Sequence, residues 1–214
     1  MSRSYYGVVL GRFQPLHLGH MEYLEAAKKQ CERLVVGVTN PDTKSLTFHA
    51  ADPKRSKSEN NPFSYFLRHE MIDSSLREAG WESASFAIVP ADVTDISRVG
   101  VFLPDAAETT VFITVYDGWG EEKAKRLRDI GYRVEILWRR DMSSRFTSGT
   151  EVRRRMLQNE PWEHLVPSGV AYHLNRFNST LALKHPHKEC VAGRAHDDAG
   201  QLEARRAENG KRPL

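Results

Sequence analysis

The feature that leaves the fewest folds open is a strand, a glycine turn and a helix start in one unbroken run. Tyr6-Gly7-Val8-Val9-Leu10 is apolar and rich in β-branched residues, which suits a buried strand. Gly11-Arg12-Phe13-Gln14-Pro15-Leu16-His17-Leu18-Gly19-His20 follows at once and leads into a helical pattern. Such a run opens a βαβ unit and sets an anion-binding helix start above the end of the strand. That first helical turn carries unpaired N–H groups and the positive end of the dipole. His17 and His20 share one face, so both imidazoles can donate to the same oxygens. Gly19 removes bulk between them and lets a phosphate approach the backbone. With Gly11, Arg12 and Phe13, these residues form a candidate nucleotide site with the α-phosphorus at the histidines. The pair also fits a capped surface turn or half a zinc site, but no HExxH pattern or cysteine cluster supplies further ligands.

The rest of the chain continues the alternation. Strands are expected at Tyr6–Leu10, Leu34–Val38, Phe86–Val89, Val111–Val115 and Arg133–Leu137. Helices are expected near Leu18–Cys31, Ser64–Ala79, Gly120–Ile130, Thr150–Gln158 and Ser168–Asn175, with Gly80 and Gly131 where C-caps fall. This pattern predicts an α/β fold: a Rossmann-like, doubly wound, parallel five-stranded sheet with C-terminal helices and ligand at the carboxyl strand ends. The 214 residues suffice for one core, expected over residues 1–184, with 185–214 a polar, mixed-charge tail that reads as disordered. The polar stretch 40–61, at about twenty residues, exceeds an ordinary connection and reads as a flap over the substrate. A net charge of +3 argues against a nucleic-acid binder, and two distant cysteines fit a reduced, cytoplasmic protein. No apolar run is long enough to span a bilayer.

A second chemical signal is Phe146-Thr147-Ser148-Gly149-Thr150-Glu151-Val152-Arg153-Arg154-Arg155. Ser148, Gly149 and Thr150 are N-cap chemistry, and Arg153 lies one turn on. Their hydroxyls, free N–H groups and guanidinium suit the β- and γ-phosphates of a nucleotide. Neither GxxxxGK[ST] nor GxGxxG occurs, which disfavours a kinase or a dehydrogenase.

GRFQPLHLGH resembles the HxGH motif of the adenylyltransferase and cytidylyltransferase superfamily, and its long form is most similar to archaeal-type nicotinamide mononucleotide adenylyltransferases. The SGTEVRRRML run resembles the superfamily's second signature, and Asn61-Pro62-Phe63 with Arg68 is similar to its NPFTxxER segment. Altogether the likeness covers roughly residues 5–178. It implies transfer of a nucleoside monophosphate from ATP, with CTP as the alternative donor, onto a small phosphate-bearing acceptor. His17, His20 and Arg153 would be catalytic, and Mg²⁺ would bridge the phosphates without a protein metal set. It further implies that Arg68 and Asp92 serve the acceptor, and it leaves a homo-oligomer open. NAD synthesis is the leading expectation, transfer to another phosphate or phosphonate the second, and a non-catalytic nucleotide sensor the third.

Three departures fall where base and acceptor are read. Archaeal-type members usually carry a stacking tryptophan after a Pro/Asp-containing loop, but after Pro90 and Asp92 this chain offers Phe102, either a substitute stacking surface for the acceptor or a core residue. Where the family has a Gly-Asn pair, it has Tyr116-Asp117-Gly118-Trp119, which offers Trp119 either as a stacking face for a base or acceptor or as packing beneath the loop. The long 40–61 stretch is the third.

Overall fold

The structure is a computed structural model that describes residues 4–44, 46, 57–93, 95 and 98–184, without side chains at 142 and 178–184. Five strands form one parallel sheet: β1 (Ser4–Gly11), β2 (Cys31–Thr39), β3 (Phe86–Ala91), β4 (Thr109–Val115) and β5 (Arg133–Arg139), in the order β3-β2-β1-β4-β5. The helices are α1 (Leu18–Lys28), α2 (Tyr65–Glu78), α3 (Val99–Phe102), α4 (Gly118–Asp129), α5 (Gly149–Leu157) and α6 (Ser168–Lys184). The expected Rossmann-like fold is therefore present. The chain steps outward from β1 through β2 to β3, then returns to place β4 on β1's other side. That reversal opens a crevice at the carboxyl ends of β1 and β4, where doubly wound sheets take ligands.

Strand alternation builds the core. Val8, Leu10, Val111, Ile113 and Val115 share a buried cluster with Trp119, Ala124 and Leu127 of α4 and with Val99 of α3. Helix α1, which contributes nothing to that cluster, lies along β1 and β2 with Leu24 and Ala27 fully buried. Each buried Val, Leu or Ile side chain stabilises the fold by about 2 kcal/mol.

Element ends differ from expectation for local reasons. Helix α1 stops at Lys28 because Cys31 already pairs with Ser4 in the sheet. Helix α4 begins two residues early because Asp117 caps it, accepting from Gly120 N at 3.0 Å. Gly80 and Gly131 do end α2 and α4, in the left-handed region at φ 80° and 94°. The four-residue α3 carries no helical periodicity a sequence could reveal.

The chain divides into two units, Met1–Arg176 and Phe177–Leu214. The first carries the whole sheet. Of the second, the described residues comprise only the C-terminal end of α6, and the expected tail 185–214 lies outside them. So does half of the expected flap, residues 45 and 47–56. Among the described residues no helix is long and apolar enough to cross a membrane.

Candidate active site

The loop after β1 is built around a buried ring. Phe13 adopts φ 49° and is 1% exposed. Its ring occupies the room that Gly11 leaves, since a Cβ there would meet the ring at 2.7 Å. Phe13 meets the His20 ring edge-on with centroids 4.9 Å apart. Phe13, expected to line the nucleotide, is instead the wall behind His20, and Gly11 makes space for that wall. Gln14 is likewise buried, and its amide both donates to Phe63 O (3.0 Å) and accepts from Phe63 N (2.9 Å). That two-point clasp fixes the loop to the Asn61-Pro62-Phe63 segment.

His17 is the N-cap of α1, and His20 stands one turn on. Their rings stack at 3.7 Å with 24° between planes. A Cβ on Gly19 would lie 3.3 Å from the His17 ring, so glycine admits this close stack. Both Nδ1 atoms are buried and have no hydrogen-bond partner among the described residues. Burial, followed by the charge of Arg145, lowers the His17 pKa to about 4. Burial, then His17, Arg145 and Arg12, holds His20 well below its usual value. The two imidazoles are thus uncharged at neutral pH, each retaining one N–H donor.

Helix α5 closes on this loop. The Thr147 carbonyl lies 4.0 Å from the position of a Cβ on Gly19, and a Cβ on Gly149 would stand only 2.5 Å from Gln14 O. Arg153 donates to Gln14 O, to Asn60 Oδ1 (2.9 Å) and to Thr150 Oγ1 (3.4 Å). Ser148 caps α5 by accepting from Glu151 N (3.1 Å). Its O–H can still donate, and the Gly149 and Thr150 N–H groups head the helix. Among the described residues Arg153 has only uncharged partners, and burial with the nearby charge of Arg12 lowers its pKa. Hence the two sequence motifs, joined across 139 positions by the Gln14–Arg153 bond, meet at one crevice. Arg154 and Arg155, by contrast, pair with Glu151, and Arg154 also with Glu160.

The residues expected at the acceptor behave differently. Arg68 is 0% exposed and donates to the carbonyls of Arg12 (2.9 Å), Thr39 (2.7 Å), Asn40 (2.7 Å) and Ser64 (3.3 Å). Burial lowers its pKa to about 10. The expectation that Arg68 touches the acceptor is corrected accordingly: it fastens the ends of β1 and β2 and so shapes the rim. Trp119 is 8% exposed within the core cluster and packs beneath the β4 loop, which corrects its expected stacking role. Phe102 is half-buried in α3. Asp92 is half-buried beyond β3 and accepts from Asp95 N at 3.2 Å. Neither Phe102 nor Asp92 is brought to the histidine pair by any described contact.

Sequence reasoning missed two residues. Tyr116 follows β4 at the crevice, and the Arg145 guanidinium lies 3.8 Å above its ring. Arg145 was hidden in a basic stretch with Arg139 and Arg140, and only its pairing with an aromatic residue thirty positions away sets it apart. Among the described residues no group of three His, Cys, Asp or Glu side chains could hold a metal ion.

A doubly wound sheet with stacked neutral histidines at one helix start and a capped, arginine-bearing helix start closing on them defines a nucleotidyltransferase. The chain belongs to the cytidylyltransferase-like family, whose pattern matches residues 8–155. It is 44% identical over 165 residues to phosphonoformate cytidylyltransferase of Streptomyces viridochromogenes, covering 77% of this chain and 88% of that protein. Nicotinamide-nucleotide adenylyltransferase of Pyrococcus abyssi is 31% identical over 183 residues, covering 84% and 87%. The fold matches a bifunctional NMN adenylyltransferase/ADP ribose pyrophosphatase of Francisella tularensis complexed with AMP and a Mn ion, at TM-score 0.57 and 14% identity. That likeness covers 85% of this chain and 51% of the other, so the present chain spans about half of that protein.

Proposed function

We propose that this enzyme transfers a cytidylyl group from CTP to a small acceptor bearing a phosphonate or phosphate, with release of pyrophosphate. The observation that carries the reaction is the closure of α5 on the histidine loop, through Gly149 and Arg153 against Gln14. The choice of donor and acceptor is supported by the 44% identity to a cytidylyltransferase that acts on phosphonoformate. The burial of Trp119, which removes it as a stacking platform for a second nucleotide, points the same way. Adenylyl transfer to nicotinamide mononucleotide is the second reading, supported by the 31% identical Pyrococcus relative.

An acceptor oxygen attacks the α-phosphorus, the bond to the bridging oxygen breaks, and pyrophosphate leaves with the electron pair. The attacking oxygen is already anionic, so positioning and charge stabilisation suffice without a strong base. His17 and His20 donate to the α-phosphate oxygens. Ser148, Thr150, the Gly149 N–H and Arg153 receive the departing pyrophosphate at the head of α5. The donor enters as its Mg²⁺ complex, with the ion held by phosphate oxygens and water as part of the substrate. CTP and phosphorylated metabolites are met in the cytoplasm, where we place the reaction.

The test pairs CTP or ATP with phosphonoformate or nicotinamide mononucleotide, read by pyrophosphate release and product mass. Turnover with CTP and the phosphonate is expected. Turnover confined to ATP with the mononucleotide would install the second reading. Tight nucleotide binding with no release from any pair would make the protein a sensor.

A further inference from the structure

Arg145 has no task in the chemistry above, yet its placement is specific. The segment from β5 to α5 that carries it is tied down on both sides. Before it, Arg140 donates from two nitrogens to the Glu22 carboxylate of α1 (2.9 and 2.8 Å) and from its backbone N to Val115 O (3.0 Å). After it, Thr147 brings its carbonyl to Gly19 between the two histidines. Arg145 is thus held beside the N-terminal half of α1, at the end of β4, across the crevice from the loop after β1. Its guanidinium rests on the Tyr116 ring, 3.8 Å from the centroid, and among the described residues it has no carboxylate partner. The side chain is exposed. An exposed cation held only by an aromatic face is weakly retained. Its charge is nonetheless felt by both imidazoles, as their lowered pKa values record. A transferring phosphoryl group carries charge on several oxygens, and the neutral histidines supply hydrogen bonds but no positive charge.

We propose that Arg145 is a further substrate-binding residue that leaves the Tyr116 ring to close, from the β4 side, on the phosphoryl group that His17 and His20 receive from the β1 side. The inference rests on the nucleotidyl-transfer reading of the crevice, and it adds a cation to that reading. A guanidinium suits this task because its planar fork matches two phosphoryl oxygens at once.

The test compares Arg145→Gln, Arg145→Lys and Arg139→Gln in the full chain. Arg139 ends β5 and pairs with Glu121 of α4, so its replacement removes the same charge nearby without touching the crevice. Arg145→Gln is expected to lower kcat/KM about 10- to 100-fold, the range for one charge-assisted hydrogen bond to the reacting group. Arg145→Lys should recover part of that loss, and Arg139→Gln should stay within about twofold of the parent. CTP binding measured by calorimetry keeps the result independent of turnover: Kd should rise about fivefold for Arg145→Gln and remain unchanged for Arg139→Gln. If the parent binds CTP but releases no pyrophosphate with any acceptor, the transfer reading falls, and the Kd comparison still decides Arg145. Equal Kd values for the parent and Arg145→Gln, or equal losses for the two glutamine variants, would overturn the proposal.

Discussion

Gly149→Ala tests the docking of the two motifs at its tightest point. A Cβ at this position would stand 2.5 Å from Gln14 O, 3.0 Å from Gln14 C and 3.4 Å from an Arg153 guanidinium nitrogen. Ordinary C···O contacts begin near ~3.3 Å, so the surfaces must part by about 0.8 Å. Gln14 cannot yield, because its side chain is clasped to Phe63 and its carbonyl accepts from Arg153. Helix α5 must therefore move, taking Ser148, Thr150 and Arg153 away from the histidines. Misplacement of roughly 1 Å can lower a rate about 10²-fold, so kcat for pyrophosphate release is expected to fall about 10- to 100-fold. Overpacking destabilises by about 1–3 kcal/mol, while alanine favours a helix by up to about 1 kcal/mol over glycine. A net loss of about 1 kcal/mol lowers Tm by about 2–4 °C for a chain of this size. Gly118→Ala is the matched control at the head of α4, where an added Cβ meets nothing within 4 Å. Parental kcat and Tm in Gly149→Ala would refute the reasoning, since a relaxed contact would show in neither.

Three further outcomes follow from the same geometry. His20→Ala should lower kcat by about 10²–10³, the usual loss for one donor to a reacting oxyanion, and a rate near the parent's would remove His20 from the chemistry. Arg68→Met strands the carbonyls of Arg12, Thr39 and Asn40 and should cost about 3–5 kcal/mol in urea unfolding; a loss under about 1 kcal/mol would show that the network is not holding the rim. Stability should also fall in mild acid. His17 has a folded pKa of about 4 against 6.5 in the unfolded chain, so below pH 6.5 the unfolded chain binds a proton that the folded one refuses. This contribution is complete above pH 6.5 and is lost as pH falls toward 4, amounting to about 2 kcal/mol by pH 5, with His20 acting in the same direction. Equal urea midpoints at pH 7 and pH 5 would contradict it.

What the sequence disclosed was local or periodic. His17 and His20 announce themselves because three positions along a helix form one face, and Ser148 because capping chemistry precedes its helix. The doubly wound parallel sheet followed from the alternation of strands and helices. Concealed features depended on partners distant in the chain. Arg68 bonds only backbone carbonyls, which no side-chain pattern advertises. Trp119 reads as a stacking platform until Val93, Val99 and Leu103 are seen to share its core cluster. Arg145 reads as one more surface cation until Tyr116 is seen beneath it. In each case the tertiary contact, and not the residue type, decides the role.

The arrangement also separates two tasks that a charged histidine pair would merge. Stacked imidazoles at 3.7 Å would repel if both were protonated, and burial already disfavours charge on either. In the proposed reaction they serve as oriented neutral donors. Positive charge resides instead on Arg12, Arg145 and Arg153, each of which shifts the pKa of a neighbour or is itself shifted by one. Arg153 meanwhile spends its hydrogen bonds on uncharged acceptors and so keeps its full charge for an incoming anion. Fixed donors of this kind need not reorganise as charge migrates from the α-phosphate to the leaving group. The segments after β1 and within α5 are already joined through Gln14 and Arg153, so in the proposed reaction a triphosphate that engages all three cations has only the segment before α5 to draw in. Binding energy gained along the phosphate chain is thereby converted into the alignment that the in-line displacement requires.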